Sequence, residues 1–297
     1  MQPTKIENWV QESIDNRSVA AQKDFRHAVH IILKAISLSE NLSKSMIFKG
    51  GMLLGIKYQS ERYTTDLDFS TAEKLDPNCI QDFKEEFNDR LEYANNLLAY
   101  GMKLKIQRIE KRPKKDDASF PALEIKIAYL GINCNQSEIN KYENNQAPNT
   151  ISIDYSFNEL NNDVESIVID EEENEKIICY TLESIIAEKL RSILQQKPRN
   201  RTRGQDIYDI CFLLSDYDDQ LSSIETKNKI LNLLKQKSIG RDIDELLHIN
   251  GLNDEDIKTR SKIGFKAIEP QLTTTANFED LYNQLNKFYQ SLPWNKS

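Results

Sequence analysis

Two aspartates one residue apart, Asp66 and Asp68 in Thr65-Asp66-Leu67-Asp68-Phe69, are the residues whose type and spacing point most directly to chemistry. Polar alternates with apolar through this stretch, so on a strand both carboxylates fall on one face while Leu67 and Phe69 turn to the core. Like charges that close are costly unless one is protonated or a cation sits between them, and oxygen donors suit a hard divalent ion such as Mg²⁺. Upstream, the apolar Met46-Ile47-Phe48 runs into Gly50-Gly51, where the missing Cβ atoms permit a tight turn or a close approach to a ligand. A short helical interval, Met52 to Tyr58, and then Arg62 follow. Standing alone, Asp-x-Asp reads as a solvated strand edge; the nearby phosphate-suited backbone and cation are what argue for a metal.

Three further clusters bear on this chemistry. Asp154, in Ile151-Ser152-Ile153-Asp154-Tyr155, is an acid in an apolar strand pattern, where aspartate is disfavoured. It is the candidate third carboxylate, the alternative being a strand-end acid facing solvent. In residues 181–194, Ile185, Ile186, Leu190 and Ile193 form the apolar face of a helix, and Lys189, four residues from both Ile185 and Ile193, lies on that face. Its ammonium is thereby directed inward, into a partly desolvated cleft, the alternative being a stem that snorkels to water, and Lys189→Met is expected to leave stability unchanged or slightly higher. The third cluster, Arg203-Gly204-Gln205-Asp206-Ile207-Tyr208-Asp209-Ile210, opens another helix, with Asp206 and Asp209 on one side and Ile207, Ile210, Cys211 and Leu214 on the other. Acids there would also be favoured by the helix dipole alone. Lys197, Arg199, Arg201 and Arg203 form a basic loop just before it, attractive to phosphate or RNA.

The elements that must position these residues follow from periodicity. Helices are expected over 5–15 and 19–38, and a third from the Asp76-Pro77 cap to Tyr100. Strands are expected at 102–109, 122–129, 150–157, 167–169 and 177–180, which together require a mixed sheet. From Thr181 the pattern is helical, with candidates at 182–196, 204–215, 222–237, 241–249, 253–262 and 277–291. The Asn- and Gln-rich residues 133–149 read as a flexible hairpin loop and Asp170–Glu173 as a polar turn. His27 and His30 lie one turn apart with no third ligand in reach, so they are given a structural role.

At 297 residues, with 39% hydrophobic and 29% charged residues, the chain has the composition of a globular protein of one large domain or two. No apolar run approaches the roughly 20 residues needed to cross a bilayer, and no signal-peptide pattern is present, so a cytoplasmic protein without membrane contact is expected. Cys79, Cys134, Cys179 and Cys211 have neither zinc-site nor disulfide spacing. A formal net charge of −8 argues against indiscriminate nucleic-acid binding while permitting a local basic groove.

The ordered clusters resemble the nucleotidyltransferase superfamily typified by DNA polymerase β, and within it the AbiEii/AbiGii toxin branch, including MenT-like members. That branch reads Gly-Gly and then Arg-x-Ser/Thr-x-Asp-φ-Asp, φ being apolar. The matching positions are Gly50, Gly51, Arg62, Thr64, Asp66 and Asp68, with Met52 where the family generally has Ser or Thr. Lys189 matches the lysine of the family's Ala-Glu-Lys-Leu segment. Arg203, Asp206 and Asp209 match Arg-x-Lys-Asp-φ-φ-Asp, with Gln205 replacing the common Lys.

The resemblance spans residues 45–215 and implies an α/β fold, a polymerase-β-like mixed sheet with a helical C-terminal domain. In that division residues 1–44 are an N-terminal helical cover, 45–180 the nucleotidyltransferase sheet domain, and 181–297 a helical domain completing the active cleft. The implied activity is Mg²⁺-dependent, or Mn²⁺-dependent, transfer of a nucleotide from an NTP to an RNA acceptor, the 3′ end of tRNA, by the toxin of a toxin-antitoxin or phage-defence pair with a cognate antitoxin. Asp66, Asp68 and Asp154 would hold the metal. Gly50, Gly51, Arg62, Thr64, Lys189 and Arg203 would bind nucleotide, and Lys189 and Asp206 would join the three acids in catalysis. Two alternatives stand beside it: nucleotidylation of a protein hydroxyl, and a nucleotide-binding module without turnover.

Overall fold

A computed structural model describes residues 5–15, 20–62, 64–115, 118–160, 163–170, 173–272 and 276–294. Glu171 and Glu172, in the acidic turn, lie outside the described residues. The chain divides into two compact units, one of residues 1–59 and 64–179, the other of residues 60–63 and 180–297. The expected α/β architecture is the one observed.

The first unit is built on a seven-stranded mixed sheet. Its strands are β1 (Ile47–Lys49), β2 (Leu67–Ser70), β3 (Lys103–Arg112), β4 (Ala122–Leu130), β5 (Thr150–Ser156), β6 (Val164–Asp170) and β7 (Glu175–Tyr180), in the order β3-β4-β5-β2-β1-β7-β6. β2 runs parallel to β5 and antiparallel to β1, and β1 runs parallel to β7. Alternation separates the two faces. Ile151, Ile153 and Tyr155 are buried, whereas Asp154 between them is exposed. On the apolar side Phe83, from the helix Ile80–Leu98, stacks 6.0 Å from Tyr155. The helix Ala20–Ser37 also packs here, with every described residue from His27 to Ile36 buried, so residues before β1 belong to the same core as the sheet. His27 stacks on Tyr100 with centroids 3.9 Å apart, and His30 Nδ1 lies 2.8 Å from the Tyr100 hydroxyl.

Two local expectations change. Residues 136–143 are a helix, because Asn135 and Glu138 form a reciprocal capping box. Residues 241–249 are not a helix beyond the single turn Asp244–Leu246; Asp242, at φ 58°, breaks the helical path.

The second unit is helical. Gly204, which opens the helix Gly204–Asp216, packs so tightly on the helix Glu255–Ile268 that a Cβ there would lie 1.9 Å from the Phe265 backbone nitrogen. Gln196, 1% exposed, accepts from the Arg203 backbone N–H at 2.7 Å and donates to Ser261 Oγ at 2.8 Å, fixing the loop that leads into this helix.

Candidate active site

In the sheet unit, the chain leaves β1 at Lys49 and turns into the helix Gly50–Tyr58, whose N-cap, Lys49, makes no side-chain capping bond. Gly50 has φ +77°, which an L side chain rarely adopts, and a Cβ at this position would lie 1.9 Å from Asp68 Oδ2. Glycine is thus required twice, for the turn and for the carboxylate resting against it. The strand register then sets the neighbours. Asp68 is the partner of Lys49 on β1 and of Asp154 on β5, and Asp154 is the partner of Glu124 on β4. Directly opposed residues share a face, so Glu124, Asp154, Asp68 and Lys49 form one row across four strands. Asp66 lies one residue before β2, exposed, with its Oδ1 3.5 Å from Thr65 Oγ1.

These donors are all oxygens, which suits Mg²⁺ or Mn²⁺. Among the described residues, however, no group of three or more His, Cys, Asp or Glu side chains is gathered tightly enough to hold an ion by itself. The fit is that of an open site: neighbouring carboxylates from Asp68 and Asp154, with Asp66 at the strand's start, leave positions for water and substrate phosphate, the usual mode for Mg²⁺.

The helical unit holds a second cluster. The Lys189 ammonium donates to Asp206 Oδ1 at 2.9 Å and to Asp209 Oδ2 at 2.7 Å. Arg62 grips Asp209 with two parallel bonds, Nε to Oδ1 at 2.6 Å and Nη2 to Oδ2 at 2.9 Å. Asp209 is 0%, Asp206 5% and Lys189 7% exposed. Burial pushes the Asp209 carboxyl up, but Lys189 and Arg62 outweigh it and hold it below the usual range. Burial likewise opposes the Lys189 charge, and the two aspartates more than restore it. Two cations and two carboxylates thus form a buried network in which one atom, Asp206 Oδ2, has no hydrogen-bond partner. The acidic side of this helix is therefore not a solvated face. Lys189 points inward, as its place on the apolar face implied, and its ammonium is bonded to two aspartates, so the Met replacement expected from sequence to be neutral would instead strand buried carboxylates.

A family model, described as nucleotidyl transferase AbiEii toxin of a type IV toxin-antitoxin system, matches residues 31–284. The chain belongs to this AbiEii family. The toxin is thus a nucleotidyltransferase. In fold it is similar to JHP933 from Helicobacter pylori, at 15% identity and TM-score 0.50, with 93% of this chain and 92% of that chain covered. MenT4, a nucleotidyltransferase toxin from Mycobacterium tuberculosis, is 12% identical, covering 98% of this chain and 99% of that one, at TM-score 0.46. No curated protein matches the chain.

Within the AbiEii toxin, the site residues expected from sequence, together with Asp209, fall into two groups. Gly50, Gly51, Thr64, Asp66, Asp68 and Asp154 belong to the sheet unit; Arg62, Lys189, Arg203, Asp206 and Asp209 belong to the helical unit. Sequence reasoning passed over Lys49, whose signal was a charge closing an apolar run, and matched Asp209 to the motif without giving it a role, although it centres the buried network. In the basic loop Lys197 pairs with Asp254 at 2.9 Å, and Arg260, itself paired with Asp256, donates to Asn200 Oδ1 at 2.7 Å. No helix among the described residues is long and apolar enough to cross a membrane.

Proposed function

We propose that the toxin transfers a nucleotide from an NTP to an RNA hydroxyl, the 3′ end of tRNA, in a Mg²⁺-dependent reaction that occurs in the cytoplasm and is neutralised by a cognate antitoxin. The observation that carries this reading is the row in which Asp68 rests on Gly50 and stands beside Asp154. Asp66, Asp68 and Asp154 are the residues that would hold the metal. When bound, Mg²⁺ supplies charge stabilisation at the α-phosphate and lowers the cost of forming an alkoxide nucleophile. Backbone N–H groups at Gly50 and Gly51, opening a helix, bind phosphate oxygens, and Met52 leaves that task to the backbone.

The acceptor oxygen forms a bond to the α-phosphorus as the bond to pyrophosphate breaks, and the hydroxyl proton passes to a carboxylate. Asp206, matched to the motif's acid, is assigned this proton or the orientation of the acceptor. Lys189, Arg62, Thr64 and Arg203 are assigned to the nucleotide, with Lys189 and Arg62 also holding the aspartates in place. Transfer to a protein hydroxyl would use the same residues, because the acceptor lies outside these motifs.

The test is incubation of purified toxin with each labelled NTP, Mg²⁺, total RNA and total protein. Label in a tRNA-sized RNA is expected. Label in protein alone would replace the acceptor, and no label in either would contradict the reading.

A further inference from the structure

All three residues of β1 are buried, and the last is Lys49, 7% exposed. A core strand position ordinarily carries an aliphatic side chain, because an ammonium is costly to take from water unless a negative group receives it. Two constraints point to Asp68 as that group. The register makes Asp68 the direct cross-strand partner of Lys49, and side chains so opposed share one face with Cβ atoms about 5 Å apart. The residue after Lys49 is Gly50, against which the Asp68 carboxylate rests. Beyond Asp68 the row continues through Asp154, Glu124 and, on β3, Glu110, and the two glutamates pair with Arg108 and Arg112, so Lys49 is the cation at the Asp68 end of a line of four acids.

We propose that Lys49 is a positioning residue, the resident counter-ion of this acid row. It holds Asp68 in place while no metal is bound, and it weakens metal binding so that the ion is held firmly only when nucleotide phosphates join it. The second half rests on the proposed metal-dependent function; the first does not. One positive charge beside Asp68 opposes a divalent ion at the same carboxylate, an effect of about tenfold in affinity even at the dielectric of bulk water, and more where the site is drier.

Two measurements separate these halves. In urea unfolding, Lys49→Met should lower the midpoint, and adding Asp68→Asn should recover part of the loss, because the uncompensated charge is gone; additive losses would overturn the counter-ion role. If Lys49→Met does not fold, Lys49→Met/Asp68→Asn should fold, and failure of both overturns it too. In a titration with Mn²⁺ alone, Lys49→Met should bind more tightly than wild type by about tenfold or more, and Lys49→Arg should match wild type. Unchanged Mn²⁺ affinity in a folded Lys49→Met variant would reduce the residue to a purely structural lysine. A wild-type protein that binds no Mn²⁺ would instead contradict the metal reading, and the urea result would still stand.

Discussion

Replacing Lys189 by Met is the perturbation whose outcome differs most between sequence and structure. The substitution keeps the stem and removes the ammonium that holds Asp206 and Asp209 at 2.9 and 2.7 Å. Asp209 retains its bidentate Arg62, but Asp206, 5% exposed and with Oδ2 already lacking a partner, loses this ion pair. Removing one partner of a buried ion pair costs about 3–5 kcal/mol, and the remaining Arg62 places this case near the lower end. With a urea slope of roughly 1–3 kcal/mol/M, the midpoint should fall by about 1 M or more. The comparison belongs near pH 7. Asp209 is held below its ordinary pKa, so its contribution is complete above about 3.9 and is lost only as pH falls through the lower folded value. Adding Asp206→Asn should restore much of the loss. If Lys189→Met unfolds at the wild-type midpoint, the buried network contributes nothing and Lys189 is an ordinary helix lysine.

Gly50→Ala should displace Asp68 and lower transfer by about 100-fold or more, the effect of a misplacement near 1 Å, while the protein stays folded by circular dichroism. Gly204→Ala would ordinarily stabilise a helix, yet here its Cβ meets backbone at 1.9 and 2.3 Å. A loss of about 1–3 kcal/mol in urea unfolding is therefore expected, and a gain would refute the tight crossing. His27 and His30 both have pKa values lowered to about 4, chiefly by burial and secondarily by Lys23 and Lys34 respectively. The neutral rings are favoured in the folded state, so their stabilising contribution is complete above about pH 6.5 and declines as pH falls toward 4. A urea series between pH 7 and 5 should show this decline; a flat series would contradict it.

The sequence made the sheet legible because period-two alternation around Leu67, Ile125 and Ile153 has few other solutions, and the two glycines beside Asp-x-Asp marked the site. What it could not show is register. That Asp68 meets Lys49 on one side and Asp154 on the other depends on which strands pair, and parallel pairing of β2 with β5 joins residues far apart in sequence. Charge compensation was hidden for the same reason. Lys189 reads as an inward cation, but Arg62 and Asp209 lie on other segments, and only the fold shows that the three compensate one another. The helix after Asn135 is masked by an asparagine-rich composition that reads as loop, although the Asn-x-x-Glu spacing of its capping box is present in the sequence.

The central claim is that the acid row of the sheet unit carries out metal-dependent nucleotide transfer. Its most direct test is single-turnover transfer from labelled NTP to RNA by wild type, Asp68→Asn and Asp154→Asn, with circular dichroism and melting temperature in parallel and Mg²⁺ added or chelated. Each substitution removes a carboxylate charge with little change of shape, so transfer should vanish in both variants and in chelator while the fold persists. Wild-type transfer by a folded Asp68→Asn variant, or by wild type in chelator, would contradict the account.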